Sequence, residues 1–418
     1  MAKSYQSKEL HGIVKINPER CKGCDSCKSF CPVNAIDGPY GATHHIDDCK
    51  CLQCAQCLVN CPFGAIEDTV DVVDTVIQKL QDKNTTVVAT IAPAVRVALG
   101  EEFGMEPGSL VTEQMYGALK AAGFKIMDVN FAADNTIMEE GTELIEKIKK
   151  YVLNEAVPHE MGPLPQFTSC CPAWVRYVEL YYPDLRSHLS TAKSPQGMAG
   201  PVVKTFGATE VWHTEPENIY CVGVYPCTAK KFEASRPEFT SAADYWKKKG
   251  HTAEYQDTDA VLTTRDLARL LKKLGIDLKN VTPAEEKDNP MAEYTGAGTI
   301  FGVTGGVMEA ALRTAYFVLS GEELPDLTFK PVRGLKAVKS ADVPIKLKNG
   351  QEITLKVAVV HGTKNIAPLL EEVRAGKSPY HFIEVMNCPG GCVNGGGQPI
   401  NPMGTSWTDS FKAILPWK

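Results

Sequence analysis

A run of four cysteines ending in proline occurs twice in the first part of the chain: Cys21-x2-Cys24-x2-Cys27-x3-Cys31-Pro32 and Cys51-x2-Cys54-x2-Cys57-x3-Cys61-Pro62. Few patterns constrain a chain more. Three closely spaced thiolates wrap three irons of one cubane, and the fourth, before proline, crosses to the other cluster. Cys21, Cys24, Cys27 and Cys61 are therefore assigned to one [4Fe–4S] cluster. Cys51, Cys54, Cys57 and Cys31 are assigned to the other. Cys-x-x-Cys pairs also hold zinc, but zinc sites do not usually repeat the whole run with its proline. Cys49 is surplus. Two such clusters form an electron wire, which implies a redox centre further along the chain.

The chain has 418 residues, enough for two to four domains. Most of its 15 cysteines lie at or before Cys61. An odd count, a long chain and a polar Met1–Gly12 without a signal-peptide core argue against a secreted disulfide framework. The formal charge of −6 gives no basic excess for nucleic acid. No apolar run approaches the roughly 18 residues of a membrane span. The expected location is cytoplasmic, or periplasmic if the chain is co-exported with a signal-bearing small subunit.

After the cysteine-rich residues 1–68, Asp71 to Lys83 reads as an amphipathic helix within a linker, 69–85. From 86 to 418, short apolar runs alternate with helical patterns. Val87 to Ile91 reads as a buried strand ending at Ala92-Pro93. Phe124 to Phe131, Ile219 to Tyr225, Val357 to His361 and His381 to Met386 also read as strands. Thr136 to Leu153, Thr264 to Leu274 (capped near Thr263 or Thr264) and Val307 to Leu319 read as helices. Phe232 to Thr258 reads as an irregular insertion. The alternation predicts α/β architecture with mainly parallel sheets. The whole is α+β and multidomain, with a bacterial two-[4Fe–4S] ferredoxin-like domain at its start.

Three later peptides hold most of the remaining cysteines. In Thr168-Ser169-Cys170-Cys171-Pro172-Ala173-Trp174, Pro172 suits a first helical position, so Cys171 lies at a helix N-terminus that favours a thiolate. In Tyr225-Pro226-Cys227-Thr228-Ala229-Lys230, at a strand end, Lys230 can bring positive charge to whatever Cys227 holds. In the third, Met386 to Pro399, Cys388 and Cys392 are four apart, as on one helical turn. Its glycines allow backbone to approach a bulky group. Cys221 reads as a core residue. His213 and His361 have no ligand-like partners in sequence. The Gly296-Ala297-Gly298 and Gly305-Gly306 stretch lacks nucleotide-loop spacing and reads as packing.

These three peptides resemble the active-site signatures of the [FeFe]-hydrogenases, TSCCPxW, MPCxxKxxE and ExMxCxxGCxxGGGxP. Phe131 to Gly141, Ile300 to Ala311 and Ser378 to Phe382 also match. With the two-cluster segment, the resemblance covers nearly the whole chain. It looks nearest to the large catalytic subunit of the dimeric Desulfovibrio-type enzymes. It implies a two-lobed catalytic domain and an H-cluster: a [4Fe–4S] cubane joined by a thiolate to a two-iron unit carrying CO, cyanide and an azadithiolate bridge. Cys171, Cys227, Cys388 and Cys392 match the cubane ligands, with Cys392 bridging. Lys230 matches the partner of a cyanide. Ala92, Pro93, Pro195, Gln196, Phe301 and Met386 match residues lining the two-iron unit. Cys170 matches the proton donor to the bridging amine, and Glu140, Ser190 and Glu143 match the relay to the surface.

The chain departs from the pattern at Tyr225, where Met is usual, at Ala173 for Gly, at Asn387 for a small residue and at Asn135 for an apolar one. Tyr225 and Asn387 flank expected ligands with polar groups, which predicts a shifted potential or altered inhibitor response. The implied reaction is reversible oxidation of H2, with electrons passing through the two clusters to ferredoxin or a c-type cytochrome. The alternatives are an H2 sensor with slow turnover and a cubane-only assembly or electron-transfer protein. Retention of Cys170, Lys230 and both acids disfavours the last. Family members need maturation enzymes to load the two-iron unit. The sequence reaches Lys418 soon after Pro399, and a separate small subunit is the resulting expectation.

Overall fold

The computed structural model describes residues 12–325 and 330–400. Residues 12–132, 195–294 and 393–400 form one unit; 133–194, 295–325 and 330–392 form a second. Among the described residues the strands are, in chain order, β1 (Val14–Ile16), β2 (Ile36–Asp37), β3 (His45–Ile46), β4 (Ile66–Asp68), β5 (Thr86–Ile91), β6 (Lys125–Asp128), β7 (Gln166–Phe167), β8 (Ile219–Tyr225), β9 (Ala260–Thr263), β10 (Val338–Lys346), β11 (Glu352–His361) and β12 (Phe382–Met386).

The first unit begins with the cysteine repeat. β1 pairs antiparallel with β4, and β2 with β3. The two halves turn alike: Gly23 and Asp25 in one, Gln53 and Ala55 in the other, all have positive φ. Three of these four carry a side chain in a conformation that favours glycine. In each half the chain curls tightly around its own three clustered cysteines.

The rest of this unit is built on a parallel sheet ordered β6-β5-β8-β9. β5 is Thr-Val-Val-Ala-Thr-Ile, buried along nearly its whole length, as a strand covered on both faces requires. Val88, Ile91, Met115, Leu119, Val224 and Leu271 belong to the core. The chain leaves β5 toward β6 on one side and later returns as β8 on the other. The carboxyl ends of β5 and β8 therefore flank a topological switch point, where sheets of this kind open a crevice for ligands. Ala92-Pro93 follows β5 and Pro226-Cys227 follows β8. The Ala92 N–H donates to the Val224 carbonyl at 3.0 Å, holding the two ends together.

The second unit has a sheet ordered β10-β11-β12-β7, parallel except for the β10–β11 hairpin. Again the carboxyl ends carry the motifs. Thr168 to Cys171 follows β7, His361 ends β11, and Asn387 to Cys392 follows β12. The Val385 N–H donates to Thr168 Oγ1 at 3.1 Å and the Thr168 N–H to the Ile383 carbonyl. These bonds tie the first and third motif peptides to each other.

Most expected elements lie within a few residues of their predicted bounds. The helix Thr264–Lys273 starts at a capping box in which Thr263 and Asp266 exchange side-chain-to-backbone bonds. The segment from Phe124 differs. The strand ends at Asp128, and Val129 already begins the helix Val129–Tyr151. Asp128 Oδ1 accepts the Asn130 N–H at 2.8 Å, satisfying a free donor of the first turn. The insertion after Phe232 also contains regular structure, the helix Ser241–Lys248.

Candidate functional site: thiolate clusters and a buried acid

The repeat gathers its thiols into two sets. Burial pushes the Cys27 thiol up to about 11, and the sulfurs of Cys61, Cys21 and Cys24 push the same way. Burial holds the Cys57 thiol well above its ordinary value, with Cys54, Cys51 and Cys31 as its strongest charged neighbours. Cys31, Cys51, Cys54 and Cys57 line a common pocket. Both sets draw their fourth member from the opposite half. Buried thiols that resist ionisation one by one suit a cluster whose irons neutralise them together. Backbone N–H groups already point at the crossing sulfurs: Ala35 to Cys31 at 3.2 Å and Ala65 to Cys61 at 3.3 Å. Such bonds help to set a cluster's potential. His44, which sequence reasoning did not single out, is buried with Nδ1 3.6 Å from Cys27 Sγ and Nε2 3.0 Å from Asp25. Cys49 is exposed.

Elsewhere in the first unit, Cys227 follows β8 with its backbone pressed against Gly397. A Cβ at Gly397 would lie 2.7 Å from the Cys227 nitrogen, so the glycine is sterically required. Pro195 and Gln196 open the helix Pro195–Val202. Lys230 is buried and pairs with Glu233 at 2.7 Å. Gln196 Nε2 donates to that same Glu233 oxygen at 2.9 Å and to the Lys230 carbonyl at 3.1 Å. Gln196 Oε1 is buried without a protein hydrogen-bond partner. An orphaned acceptor beside Gly223, in a residue bonded to Lys230 and Glu233, fits a site that holds a polar bound group. Glu233 was missed as a site residue, although it is the last position of the second signature. The Tyr225 hydroxyl lies 3.3 Å from Thr90 Oγ1 on the neighbouring strand, and burial pushes its pKa well up. Gln398 Nε2 donates to the Ala94 carbonyl at 2.9 Å, anchoring the turn that follows Ala92-Pro93.

In the second unit, Cys171 is the N-cap of the helix Pro172–Tyr181, with Pro172 in the first helical turn as its sequence predicts. Ala173 and Trp174 are buried, and the Trp174 indole N–H donates to the Thr168 carbonyl at 2.9 Å. Cys388 and Cys392 do not lie on a helical turn. Gly390 and Gly391 have φ of 78° and 105°, so the chain makes a glycine turn between the two sulfurs. A Cβ at Gly391 would lie 2.7 Å from the Thr304 nitrogen. His361 Nδ1 accepts the Gly390 N–H at 3.1 Å and Nε2 lies 3.1 Å from the Leu335 carbonyl. Burial lowers its pKa, keeping the ring neutral for that accepting role. Met386 ends β12, and Phe301 lies in the core of this unit. Glu384 accepts the N–H groups of Gly305 and Met308, both at 2.6 Å. The glycine-rich stretch is thus a carboxylate-capped helix start.

Glu140 and Glu143, on the helix Val129–Tyr151, differ sharply. Glu140 is fully buried, and that burial pushes its pKa up to about 8, with Glu143 adding to the effect. Neither carboxyl oxygen has a well-formed hydrogen bond. The backbone of Ser169, next to Cys170, is the group that pulls the value back most. Glu143 is saturated: Oε2 accepts from Ser190 Oγ at 2.7 Å and the Thr191 N–H at 2.9 Å, and Oε1 pairs with Lys147 at 2.9 Å. Cys170 packs against the core of this unit. Cys221, in the first unit, is a core residue as expected, its thiol pushed up to about 12 by burial.

The sequence profile of the iron-only hydrogenase large subunit, C-terminal domain, matches residues 85–396. The chain belongs to the iron-only, or [FeFe], hydrogenases. A 4Fe-4S binding domain profile matches residues 14–37. The chain is 47% identical to the periplasmic [Fe] hydrogenase large subunit of Nitratidesulfovibrio vulgaris, over 94% of this chain and 88% of that protein. It is 30% identical to the cytosolic iron-sulfur assembly component 3 of Mus musculus, over 87% of this chain and 76% of that protein. A solved [FeFe]-hydrogenase from Chlamydomonas reinhardtii superimposes with a TM-score of 0.68 at 35% identity, over 83% of this chain and 88% of that one. This hydrogenase is an oxidoreductase acting on H2, and its cofactors are [4Fe–4S] clusters and the H-cluster.

Proposed function

We propose that this hydrogenase interconverts H2 with protons and electrons using the residues assigned from its motifs. Cys171, Cys227, Cys388 and Cys392 would hold the cubane of the H-cluster, Cys392 being the thiolate that would join it to the two-iron unit. Ala92, Pro93, Pro195, Gln196, Tyr225, Phe301 and Met386 line that unit, and Lys230 offers its ammonium to a cyanide. When bound, the group supplies the open iron and bridging amine at which H2 is split heterolytically. The protein's task is to move the proton. Cys170 Sγ takes it, the Glu140 carboxyl receives it, and Ser190 Oγ passes it to Glu143 Oε2. A relay of this kind needs groups that change protonation near the working pH.

The observation that carries this reading is Glu140. A carboxyl raised to about 8 by burial is ready to hold and release a proton at neutral pH. The 2.7 Å bond from Ser190 Oγ to Glu143 Oε2 continues the path. Cys21, Cys24, Cys27 and Cys61 would hold one cluster and Cys31, Cys51, Cys54 and Cys57 the other, and the pair would supply the electron path to ferredoxin or a c-type cytochrome. The large-subunit designation of the Nitratidesulfovibrio relative supports a small-subunit partner and a periplasmic location.

Infrared spectra of anaerobically matured protein under H2 and then argon test the reading. CO and cyanide bands that shift between the gases, with rapid turnover, are expected. Shifting bands with turnover of only a few events per minute would favour the sensor. No bands after verified maturation would overturn the assignment.

A further inference from the structure

We propose that the Asn387 side-chain amide is a potential-setting hydrogen-bond donor to the thiolate of Cys388, oriented by Thr363. Asn387 Nδ2 lies 3.8 Å from Cys388 Sγ, and both residues are buried. Thr363 Oγ1 donates to Asn387 Oδ1 at 2.7 Å, and the Thr363 N–H reaches the Asn387 carbonyl at 3.3 Å. Thr363 is itself fully buried. With Oδ1 engaged, the amide must turn its N–H toward the sulfur. The reverse orientation would set an oxygen lone pair against a thiolate. The Asn387 backbone N–H separately reaches Cys171 Sγ at 3.5 Å. One residue thus serves two candidate ligands, Cys171 through its backbone and Cys388 through its side chain.

A donor to a ligand sulfur stabilises the reduced, more negative cluster more than the oxidised one, and so raises the potential. An alanine side chain at this position carries no donor. The inference rests on Cys388 being a cubane ligand, as proposed above. Thr363 is a positioning residue, acting only through Asn387.

The test is infrared spectroelectrochemistry of the matured full-length chain, following the CO bands as the cubane is reduced. Asn387→Ala should make the one-electron step less favourable by about tenfold, about 59 mV more negative. Thr363→Val should move it the same way by less. Asn387→Asp, which replaces a donor with an acceptor, should move it furthest. If Asn387→Ala fails to assemble, the near-isosteric Thr363→Val decides. Wild-type potentials in Thr363→Val and in every Asn387 variant that assembles, with intact bands, would overturn the inference alone. Retention of the full iron content and wild-type bands in Cys388→Ala would instead overturn the ligand assignment beneath it.

Discussion

The two cysteine-bearing regions of this hydrogenase solve the same problem in opposite ways. In the first, eight thiols come from the single short stretch Cys21 to Cys61, and tight left-handed turns at Asp25 and Ala55 aim them locally. In the second unit, Cys171 and Cys388 are far apart in sequence, and each follows a parallel strand of one sheet. There the sheet, not the loop, fixes where a sulfur stands. Local spacing can build a site only when the ligands fit within a few turns of chain. Thiols that far apart in sequence need strand ends to bring them near each other. The difference extends to the supporting shell. The repeat relies mainly on backbone N–H groups, whereas Cys388 adds a side-chain donor held by a second side chain.

Removing one thiol from each region gives the largest contrast. Cys388→Ala should lose the CO and cyanide bands and all H2 activity. Cys57→Ala should keep both the bands and H2/D2 exchange while losing reduction of an external carrier. Iron counting with infrared spectra checks both, and exchange activity lost equally in the two would break the comparison.

Glu140→Gln comes next. Loss of one proton-transfer group should cost about 10²–10⁴-fold in turnover with the bands unchanged. The same variant has a stability signature. In the fold this carboxyl keeps its proton up to about 8, whereas the unfolded chain releases it near 4.5. Between those values the folded state binds more protons, so its stability falls as pH rises and levels off above about 8. Thermal unfolding from pH 5 to 8 should fall less steeply for Glu140→Gln than for wild type.

Lys231→Met probes what secures the repeat within the first unit. Lys231 is fully buried and bonds Asp68 at 2.6 Å, the Val70 carbonyl at 2.7 Å and Asp266 at 2.9 Å. Removing it leaves Asp68 without its cation and Asp266 paired with the half-exposed Arg269 alone, at a cost of about 3–5 kcal/mol by chemical denaturation. The smallest effect is expected from Tyr225→Phe. Loss of its bond to Thr90 should cost about 1 kcal/mol, with CO-band positions unchanged. A large band shift would mean that the hydroxyl faces the cluster in the loaded enzyme.

Several local features of the chain could be read from residue order alone. The doubled cysteine run, Pro172 after Cys171 and Thr263 before the helix Thr264–Lys273 each act through neighbours a few residues away. That is the range over which spacing, capping and left-handed turns operate. Other features could not be read so. Phe131 looks like a strand residue because it follows an apolar run, but Asp128 caps a helix there. The i, i+4 spacing of Cys388 and Cys392 mimics a helical turn, yet two positive-φ glycines reverse the chain between them. His44, His361 and Thr363 carry no local mark of their roles.

By itself, then, the sequence determined the order and spacing of the thiols and which short turns present them. The tertiary structure alone decided what surrounds those atoms. Whether Glu140 is a solvated helix acid or a carboxyl raised to about 8 depends on burial by residues distant in sequence. Whether Asn387 is a neutral substitution or a donor to a thiolate depends on Thr363, which follows a different strand end. Desolvation and hydrogen-bond direction are properties of the packed environment, and no local run of residues encodes them.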